Sequence, residues 1–428
     1  MLDMKFIREN PDKVREGIKR KREKDILDEV LRLDFERREL LVRSERIKSA
    51  RNRIADEIAR VKRQGGDVTQ LLESGRSHGS ELKDLENRLA DVEKQLNELL
   101  LFIPNLPHES VPFGETSEDN VEVRRFGDVK KREDFDFELM DHLLLGQKLG
   151  ILDFERGAKI SGAGFPVYVG KGAALERALI NFMLDLHIEK HGYTEIFPPF
   201  LVNRESMRGT GQIPKLEEDM YHCDADDLFL IPTAEVPVTN LRRDEVLTAD
   251  SLPVKYVAYS ACFRREAGSW GKDSRGFLRV HQFNKVELVK LVRPEDSYEE
   301  HEKLLLDVED VLKILNIPYR VMLLCTGDLS FSAAKCYDVE VFAPATESRG
   351  GWLEASSVSN FESFQARRAN IKFRRDPKSK PEFVHTLNGS GLATSRLMVA
   401  LLENYQTPEG KVIVPKALHK YTGFTVIG

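Results

Sequence analysis

Residues 263–287 read Phe-Arg-Arg-Glu-Ala-Gly-Ser-Trp-Gly-Lys-Asp-Ser-Arg-Gly-Phe-Leu-Arg-Val-His-Gln-Phe-Asn-Lys-Val-Glu. We interpret this stretch as two strand segments joined by a loop rich in glycine, serine and charge. Side chains two or four residues apart on a strand point to the same face. Five side chains are therefore expected to converge: Arg264, Glu266, Arg279, Phe283 and Glu287. A guanidinium can bind phosphate bidentately, an aromatic ring can stack on a base, and a carboxylate can hold an amino group. The set suits a nucleoside triphosphate beside a small zwitterion, although a solvated hairpin face would explain any single charge.

The bulk composition is that of an ordinary globular protein. The 428 residues are enough for two or three domains, and the net charge of −6 provides no global basic field for nucleic acid. The four cysteines (Cys223, Cys262, Cys325 and Cys336) show no C-x-x-C spacing, which favours reduced thiols and argues against a structural zinc. No apolar run reaches the roughly 20 residues that span a bilayer, and no leader is recognisable. We therefore expect a cytoplasmic protein with no membrane partner.

Residues 1–105 predict a helical arm. A heptad seam of apolar residues ends at a break at Gly65-Gly66-Asp67, and a second seam follows it. The first seam comprises Leu33, Leu40, Ile47, Ile54 and Val61, and the second comprises Leu82, Leu85, Leu89, Val92, Leu96 and Leu99. Two such helices joined by a glycine turn should fold back as an antiparallel coiled-coil hairpin over about residues 30–100, each arm on the order of 50 Å long.

The two predicted arm helices differ in charge. The first is rich in arginine, including Arg37, Arg38, Arg43, Arg46, Arg51 and Arg53, whereas the second is mostly acidic. Two explanations remain open from this half alone: a rod held together by ion pairs between the helices, or a basic surface for a phosphate backbone.

Residues 106–428 show mixed strand and helix signals after a proline-punctuated linker at 103–112. Residues 141–150 and 172–191 predict helices. Gly192 is a suitable C-cap, and residues 193–197 predict a strand that stops at Pro198-Pro199. No internal repeat is apparent.

The stretch 263–287 closely resembles motif 2 of class II aminoacyl-tRNA synthetases, and its E-A-G-S and R-x-H-Q-F-x-K-V-E segments resemble the seryl-tRNA synthetase family in particular. The helix–Gly–strand–Pro unit ending at Pro199 resembles motif 1, the helix-strand unit at the dimer interface of class II enzymes. Trp270 departs from the small residue usual in the motif 2 loop. Stacking on a terminal tRNA base and capping of the site are both open roles for it.

Three further segments resemble the same family. Ile231-Pro-Thr-Ala-Glu-Val-Pro237 places a hydroxyl and a carboxylate in what we expect to be a rigid loop, and the resemblance implies serine contacts from Thr233, Ala234 and Glu235. Residues 354–361 with 364–368 resemble the family strand in which a glutamate and a serine bind ATP and its magnesium. Ala355 and Val358 depart there from the commoner residues.

The third segment, residues 388–398, predicts a glycine-rich turn feeding a helix, and a helix N-terminus favours anions. It resembles motif 3, in which the arginine, here Arg396, holds the outer phosphates of ATP. Ser390 would face the serine side chain.

The resemblance implies an α+β chain: the helical hairpin followed by a class II catalytic domain built on an antiparallel sheet flanked by helices. It implies a homodimer that activates L-serine with ATP and Mg²⁺ and charges tRNA(Ser), with tRNA(Sec) as a further substrate. The implied catalytic residues are Arg264, Glu266 and Arg396. The implied ATP-binding residues are Arg264, Arg265, Glu266, Val280, Phe283, Glu354, Ala355, Ser356, Ser357 and Arg396, with Mg²⁺ at Glu354 and Ser357. The implied serine-binding residues are Thr233, Ala234, Glu235, Arg264, Glu287, Asn388 and Ser390, and the arm arginines named above would bind tRNA.

Three alternatives remain. A class II enzyme for threonine or proline is disfavoured by the T-A-E-V-P and H-Q-F-x-K-V-E strings. A ligase that charges a carrier protein would lack the long arm. A catalytically inactive RNA-binding or scaffold protein is disfavoured by the presence of Arg264, Glu287, Glu354 and Arg396.

Overall fold

The computed structural model describes residues 1–267 and 276–428, so Trp270 lies outside the described residues. The chain divides into two compact units, Leu2–Pro104 and Asn105–Gly428, the second including Met1. No helix in the described part of the chain combines the length and the apolar character needed to cross a lipid bilayer.

Within the described residues the helices are α1 (Met4–Glu9), α2 (Pro11–Arg20), α3 (Leu27–Arg63), α4 (Thr69–Leu100), α5 (His142–Lys148), α6 (Phe154–Ser161), α7 (Lys171–Glu189), α8 (Arg204–Thr210), α9 (Glu235–Asn240), α10 (Ser297–Leu315), α11 (Phe364–Arg368), α12 (Thr394–Asn404) and α13 (His419–Thr422).

The strands are β1 (Val121–Phe126), β2 (Leu152–Asp153), β3 (Val167–Tyr168), β4 (Thr194–Glu195), β5 (Leu201–Asn203), β6 (His222–Cys223), β7 (Leu228–Leu230), β8 (Val246–Thr248), β9 (Val254–Phe263), β10 (Gln282–Val292), β11 (Tyr319–Leu323), β12 (Lys335–Phe342), β13 (Trp352–Asn360), β14 (Lys372–Arg374), β15 (Glu382–Phe383), β16 (His385–Ala393), β17 (Val412–Ile413) and β18 (Val426–Ile427).

The N-terminal unit is dominated by the hairpin of α3 and α4. Four of the six predicted seam residues of α4 are buried (Leu82, Leu85, Val92 and Leu96), and Leu89 and Leu99 are half-buried. The seam of α3 is buried near its start and half-buried farther along, as expected where only two helices cover each other. Gly65 turns the chain with a φ of +70°, a conformation that favours glycine. The helices have 37 and 32 residues, which correspond to lengths of about 55 and 50 Å.

The second unit is built on an eight-stranded sheet in the order β1-β11-β12-β13-β16-β10-β9-β4. Its neighbouring strands are antiparallel except at one edge, where β4 runs parallel to β9. Helices α7, α10 and α12 bury their apolar faces in the same hydrophobic cluster as the strands, including Leu179, Leu304 and Leu401. The predicted antiparallel sheet flanked by helices is therefore confirmed.

Two local predictions need correction. The first strand of residues 263–287 ends at Phe263 and the second begins at Gln282, so Arg264, Glu266 and Arg279 lie beyond the strand ends. The stretch 388–393, predicted as a turn, belongs to strand β16, and the helix begins only at Thr394. Gly389 and Gly391 make no turn here. Because glycine has no side chain, Val358 and His187 can pack closely against the strand at these positions.

Two further segments form helices where extended structure or a loop is predicted. Residues 364–368 form α11, and Glu235 is the first residue of α9. The predicted strand 193–197 shortens to the two residues of β4. In each case tertiary contacts decide the local conformation of a segment too short for a clear periodicity.

Candidate active site

A cleft of about 1040 Å³ lies along the sheet of the second unit. The predicted site residues that line it are Thr233, Glu235, Arg264, Glu266, Val280, Phe283, Glu354, Ala355, Ser356, Ser357, Asn388, Ser390 and Arg396. Residues scattered over more than 160 positions of sequence are thus gathered around one cavity, because β9, β10, β13 and β16 are neighbours or near neighbours in the sheet.

Three of the predicted site residues do not line the cleft. Glu287 is fully buried and does not itself line the cleft, and Ala234 is buried in an apolar cluster with Val238. Arg265 is exposed, and its guanidinium donates to the Glu218 carbonyl at 3.2 Å, so its side chain does not line the cleft.

One end of the cleft carries the aromatic ring and the cations. The Arg264 guanidinium lies over the Phe283 ring, 5.1 Å from its centroid, and its Nε donates to the Pro232 carbonyl at 3.4 Å. Arg279 donates to Glu266 at 3.0 Å, which ties the two segments of residues 263–287 together. Four of the five side chains expected to converge therefore line this cleft, although Arg264, Glu266 and Arg279 come from loops rather than strands.

Arg396 lies in the first turn of α12 and also lines the cleft. Its Nη1 donates to the Glu354 carbonyl at 2.7 Å and lies 3.4 Å from the Glu354 carboxylate, while two further nitrogens lie 3.3 Å from the Leu278 carbonyl. These partners are oxygen atoms, so a phosphate oxygen can replace them without a change in the kind of interaction.

Strand β13 carries a bulge that the sequence does not reveal. Ser357 pairs with Asp338 and Ser356 with Val339, but Glu340 pairs with Glu354, which leaves Ala355 as an extra residue. Glu354 and Ser357 are three residues apart and would face opposite sides of a regular strand. The bulge puts them on the same side, where the Ser357 hydroxyl lies 3.2 Å from a Glu354 carboxylate oxygen.

Asp338 is a site residue that our sequence analysis missed. It accepts a hydrogen bond from the Ser357 hydroxyl at 2.6 Å, and burial together with the nearby Glu354 raises its pKa well above the usual value. An aspartate between Tyr337 and Val339, two residues before a second carboxylate at Glu340, was the available signal. No group of three or more His, Cys, Asp or Glu side chains within residues 1–267 and 276–428 is arranged to hold a metal ion by itself.

The floor of the cleft is a buried polar network on β10 and β16. Alternation along β10 puts Phe283, Lys285 and Glu287 on one face. The Lys285 ammonium donates to the Thr233 hydroxyl at 2.8 Å and forms an ion pair with Glu287. The Thr233 hydroxyl in turn donates to Glu287 at 2.8 Å.

From β16, Asn388 donates to the other carboxylate oxygen of Glu287 at 3.2 Å. Both carboxylate oxygens of Glu287 therefore have partners, as a buried charged group requires. Lys285 was also missed as a site residue, although its position between Phe283 and Glu287 in the alternating pattern was a usable signal.

Glu235 is the second buried carboxyl of the floor. Burial, and next the nearby charge of Glu287, raise its pKa to about 7, opposed by a hydrogen bond from Gln365 and by Lys285 and Arg264. The floor therefore has two carboxyls and one lysine around a small space, an arrangement that attracts an additional cation such as an ammonium group.

Comparisons with known proteins agree with this geometry. Residues 1–107 match the model of the seryl-tRNA synthetase N-terminal domain, and residues 219–405 match the class II tRNA synthetase core domain for G, H, P, S and T. The chain is 59% identical to a serine–tRNA ligase of Chloroherpeton thalassium over 432 residues, covering 100% of both chains.

Solved structures show the same similarity. The seryl-tRNA synthetase of Pyrococcus horikoshii, solved with ATP, superposes with a TM-score of 0.93 at 40% identity, over 100% of this chain and 99% of that one. The cytoplasmic serine–tRNA ligase of Naegleria fowleri, solved with AMP, gives 0.88 at 32% identity, over 100% and 98%. The resemblance stated from the motifs is thereby confirmed. This chain belongs to the seryl-tRNA synthetase family of class II aminoacyl-tRNA ligases.

Proposed function

We propose that the cleft activates L-serine with ATP and then transfers the seryl group to tRNA. In the first step the serine carboxylate attacks the α-phosphorus of ATP, forming seryl-adenylate and releasing pyrophosphate. In the second step a terminal ribose hydroxyl of tRNA attacks the seryl carbonyl carbon and AMP leaves. The observation that carries this proposal is the juxtaposition, in one cleft, of phosphate-binding arginines with a buried acidic floor.

The cationic end of the cleft supports binding of the nucleotide. Arg264 is suited to the α-phosphate and Arg396 to the outer phosphates, since a guanidinium fork matches two phosphate oxygens. Phe283 offers a ring face for adenine, with Glu266 and the Val280 backbone at the base edge. Attack at phosphorus requires positioning and neutralisation of charge rather than a protein nucleophile, and fixed cations supply both.

Glu354 and Ser357 are the proposed contacts for the magnesium ion that accompanies ATP. Their oxygens lie 3.2 Å apart on the same side of the bulged strand, and hard oxygen ligands suit Mg²⁺. The metal would supply neutralisation of phosphate charge when bound. Asp338, which already accepts a hydrogen bond from Ser357, would orient that hydroxyl.

Replacing Glu354 by glutamine is expected to raise the Mg²⁺ concentration for half-maximal exchange about tenfold or more, because an anionic ligand becomes a neutral one. Serine-dependent ATP–pyrophosphate exchange measured against MgCl₂ tests this. The matched control is Glu340→Gln on the neighbouring strand, where the carboxylate is held by Arg320 at 2.5 Å. An identical Mg²⁺ dependence for Glu354→Gln and the unmodified protein would contradict the assignment.

The acidic floor supports a small amino acid as the second substrate. Glu235 and Glu287 are suited to the ammonium and the side-chain hydroxyl, with Thr233, Asn388 and Ser390 around them. A buried polar site of this kind rejects alanine, because the floor groups would be left without a partner.

The decisive experiment is ATP–pyrophosphate exchange with a panel of amino acids, followed by charging of purified tRNA. Exchange with serine alone, together with seryl transfer to tRNA(Ser), is the expected result. Exchange with threonine or proline in place of serine would overturn the substrate assignment. Parallel assays with tRNA(Ser) and tRNA(Sec) transcripts test whether both are charged.

We propose that residues 1–105 form the tRNA-binding arm and residues 106–428 the catalytic domain. The six arm arginines named above are not equivalent candidates. Arg37 and Arg38 form ion pairs with Asp34, and Arg43 contacts Glu81 at 2.6 Å. No ion pair is found for Arg46, Arg51 or Arg53 with any described residue, and all three are exposed. The more distal arginines are therefore better placed to bind phosphate, because no ion pair with a described residue has to break first.

The triple variant Arg46→Ala/Arg51→Ala/Arg53→Ala is expected to weaken tRNA binding and to lower the slope of log K against log salt by about three. The matched control is Arg37→Ala/Arg38→Ala/Arg43→Ala, where a smaller change in slope is expected. Filter binding of tRNA(Ser) at several salt concentrations measures both. Equal slopes for the two variants would show that the ion-paired and the unpaired arginines contribute equally to tRNA binding.

We also propose a cytoplasmic homodimer. The four cysteines form no disulfide, as is usual for cytosolic proteins. Beside α7 lies a mostly apolar depression of about 450 Å³ lined by Ile180, Leu184, Phe197 and Tyr259, and Phe197 is 77% exposed. An exposed apolar surface on the motif 1 unit suits a second copy of the chain. Light scattering at a mass near twice 48.9 kDa would support this, and a monomer would contradict it.

A further inference from the structure

Gln365, on the short helix α11, reaches the floor of the cleft from a segment to which our sequence analysis gave no role. Its amide nitrogen donates to a carboxyl oxygen of Glu235 at 2.6 Å, across 130 positions of sequence. The same nitrogen donates to the Thr210 carbonyl at 3.1 Å, and its amide oxygen accepts from the Thr386 hydroxyl at 2.7 Å. Gln365 and Thr386 are each 1% exposed, so solvent cannot replace these partners.

The orientation of this amide is fixed by chemistry. The Thr210 carbonyl can only accept a hydrogen bond, so the amide nitrogen and not the oxygen must face it. Both N–H groups are then used, one on Thr210 and one on Glu235. The oxygen must point to Thr386, whose hydroxyl can donate. Three elements, α8, α11 and β16, thus hold one amide in one orientation.

Thr386 connects this amide to the rest of the floor. Thr386, Asn388 and Ser390 alternate along β16 and so share one face of the strand. Thr386 fixes Gln365, Asn388 donates to Glu287, and Ser390 lines the cleft. The two buried carboxyls therefore each receive an amide N–H, one directly from β16 and the other through a glutamine held by β16.

We propose that Gln365, fixed by Thr386 and the Thr210 carbonyl, is a positioning residue that orients the Glu235 carboxylate and keeps it able to bind the substrate ammonium. This deepens the proposed function, on which it rests for the identity of the amino acid. A donated N–H stabilises the ionised carboxylate relative to the neutral acid. A neutral carboxyl would bind an ammonium group much more weakly.

The ionised and neutral forms of Glu235 are close enough in free energy for the hydrogen bond from Gln365 to change their ratio. The pKa of Glu235 is raised to about 7, so the neutral and ionised forms are both populated near neutral pH before substrate binds. The charged groups acting on it are Glu287 and Lys285 from β10 and Arg264 from the segment after β9. Helix α11 faces it with the Gln365 amide, and α8 holds that amide through the Thr210 carbonyl. Loss of the Gln365 donor moves the balance toward the neutral acid.

The test compares KM for serine with KM for ATP in pyrophosphate exchange. Gln365→Met is expected to raise KM for serine about ten- to a hundredfold, as for a lost hydrogen bond to a charged group, and to leave KM for ATP unchanged. Raising the pH from about 6.5 to about 8 should recover serine affinity more in this variant than in the unmodified protein, because more Glu235 is then ionised. Equal changes in both KM values, or a loss of kcat alone that does not depend on pH, would overturn the proposal.

Two substitutions at Thr386 distinguish the effect of its hydroxyl, which orients the Gln365 amide, from the effect of its side-chain volume. Thr386→Val removes the hydroxyl that fixes the amide oxygen and should raise KM for serine less than Gln365→Met does. Thr386→Ser keeps the hydroxyl and should restore the KM. The control is Thr239→Val on α9, where the buried hydroxyl has no hydrogen-bond partner in the described structure. An unchanged KM for serine in Thr386→Val would count against the fixed amide.

A second measurement does not depend on the proposed function. A carboxyl whose pKa is higher in the folded than in the unfolded chain lowers stability as the pH rises between the two values, here from about 4.5 to about 7. In Gln365→Met this decline should extend to higher pH, and Glu235→Gln should abolish it. If no amino acid supports exchange, the proposed function fails, but the pH dependence of thermal unfolding still tests the effect of Gln365 on Glu235. Identical curves for the unmodified protein and Gln365→Met would overturn it.

Discussion

Arg264→Ala is expected to reduce serine-dependent ATP–pyrophosphate exchange by about a thousandfold while the protein stays folded. Arg264 lies at the cationic end of the cleft, over the Phe283 ring, and forms no ion pair with any described residue. Its charge is therefore available to a phosphate rather than consumed by a carboxylate. Because the charge on the α-phosphate is redistributed in the transition state of adenylyl transfer, removal of a fixed cation there lowers kcat.

Two companion variants sharpen this prediction. Arg264→Lys keeps the charge but loses the two-pronged geometry, so exchange should remain strongly impaired. Arg265→Ala, one residue along the chain, removes a guanidinium that is exposed outside the cleft and bonded to the Glu218 carbonyl, and should lose far less activity. Thermal unfolding verifies that each variant is folded. Near-normal exchange in Arg264→Ala, or equal losses at both positions, would remove the assignment of Arg264.

Deleting residues 37–96 and joining the ends with a short Gly-Ser linker is expected to leave serine-dependent exchange largely intact while reducing tRNA charging by several orders of magnitude. The deleted segment lies wholly within the hairpin of α3 and α4, and every residue that lines the cleft lies after it in the chain. The loss follows from the removal of the phosphate contacts that provide most nucleic-acid affinity.

The two activities must be measured on the same preparation, because only their ratio separates the roles of the two units. Exchange reports adenylate formation, and transfer of labelled serine to tRNA reports charging. If the deletion lowers exchange and charging to the same extent, the hairpin serves the structure of the enzyme rather than tRNA binding. Loss of charging that is recovered fully at higher tRNA concentration would show that the arm contributes to binding and not to the transfer step.

Much of the fold could be predicted because its signals are local. The seams of the arm repeat every seven residues, and the glycine break at residues 65 and 66 falls between α3 and α4. The motif strings placed Arg264, Phe283, Glu354 and Arg396 in one site, and the structure puts all four around one cleft. These features depend on the spacing of side chains along one segment, which the sequence displays directly.

The partners of the site residues were less predictable. Lys285 and Asp338 were missed because the role of each depends on partners from other segments: Lys285 contacts Thr233, and Asp338 accepts from Ser357 on the neighbouring strand. Arg265 was assigned to ATP by its place in the motif, but the side chain turns away once the strand ends at Phe263.

Periodicity and motif spacing are properties of neighbouring residues, so they were enough to predict the helical hairpin, the antiparallel sheet domain and the family of the site. Which side chains meet depends on the packed fold. The bulge at Ala355 arises from the pairing of β12 with β13 and brings Glu354 and Ser357 to the same side. The bond from Gln365 to Glu235 joins residues 130 positions apart. Such contacts depend on how strands and helices pack against one another, and packing is a property of the whole fold that no short segment encodes.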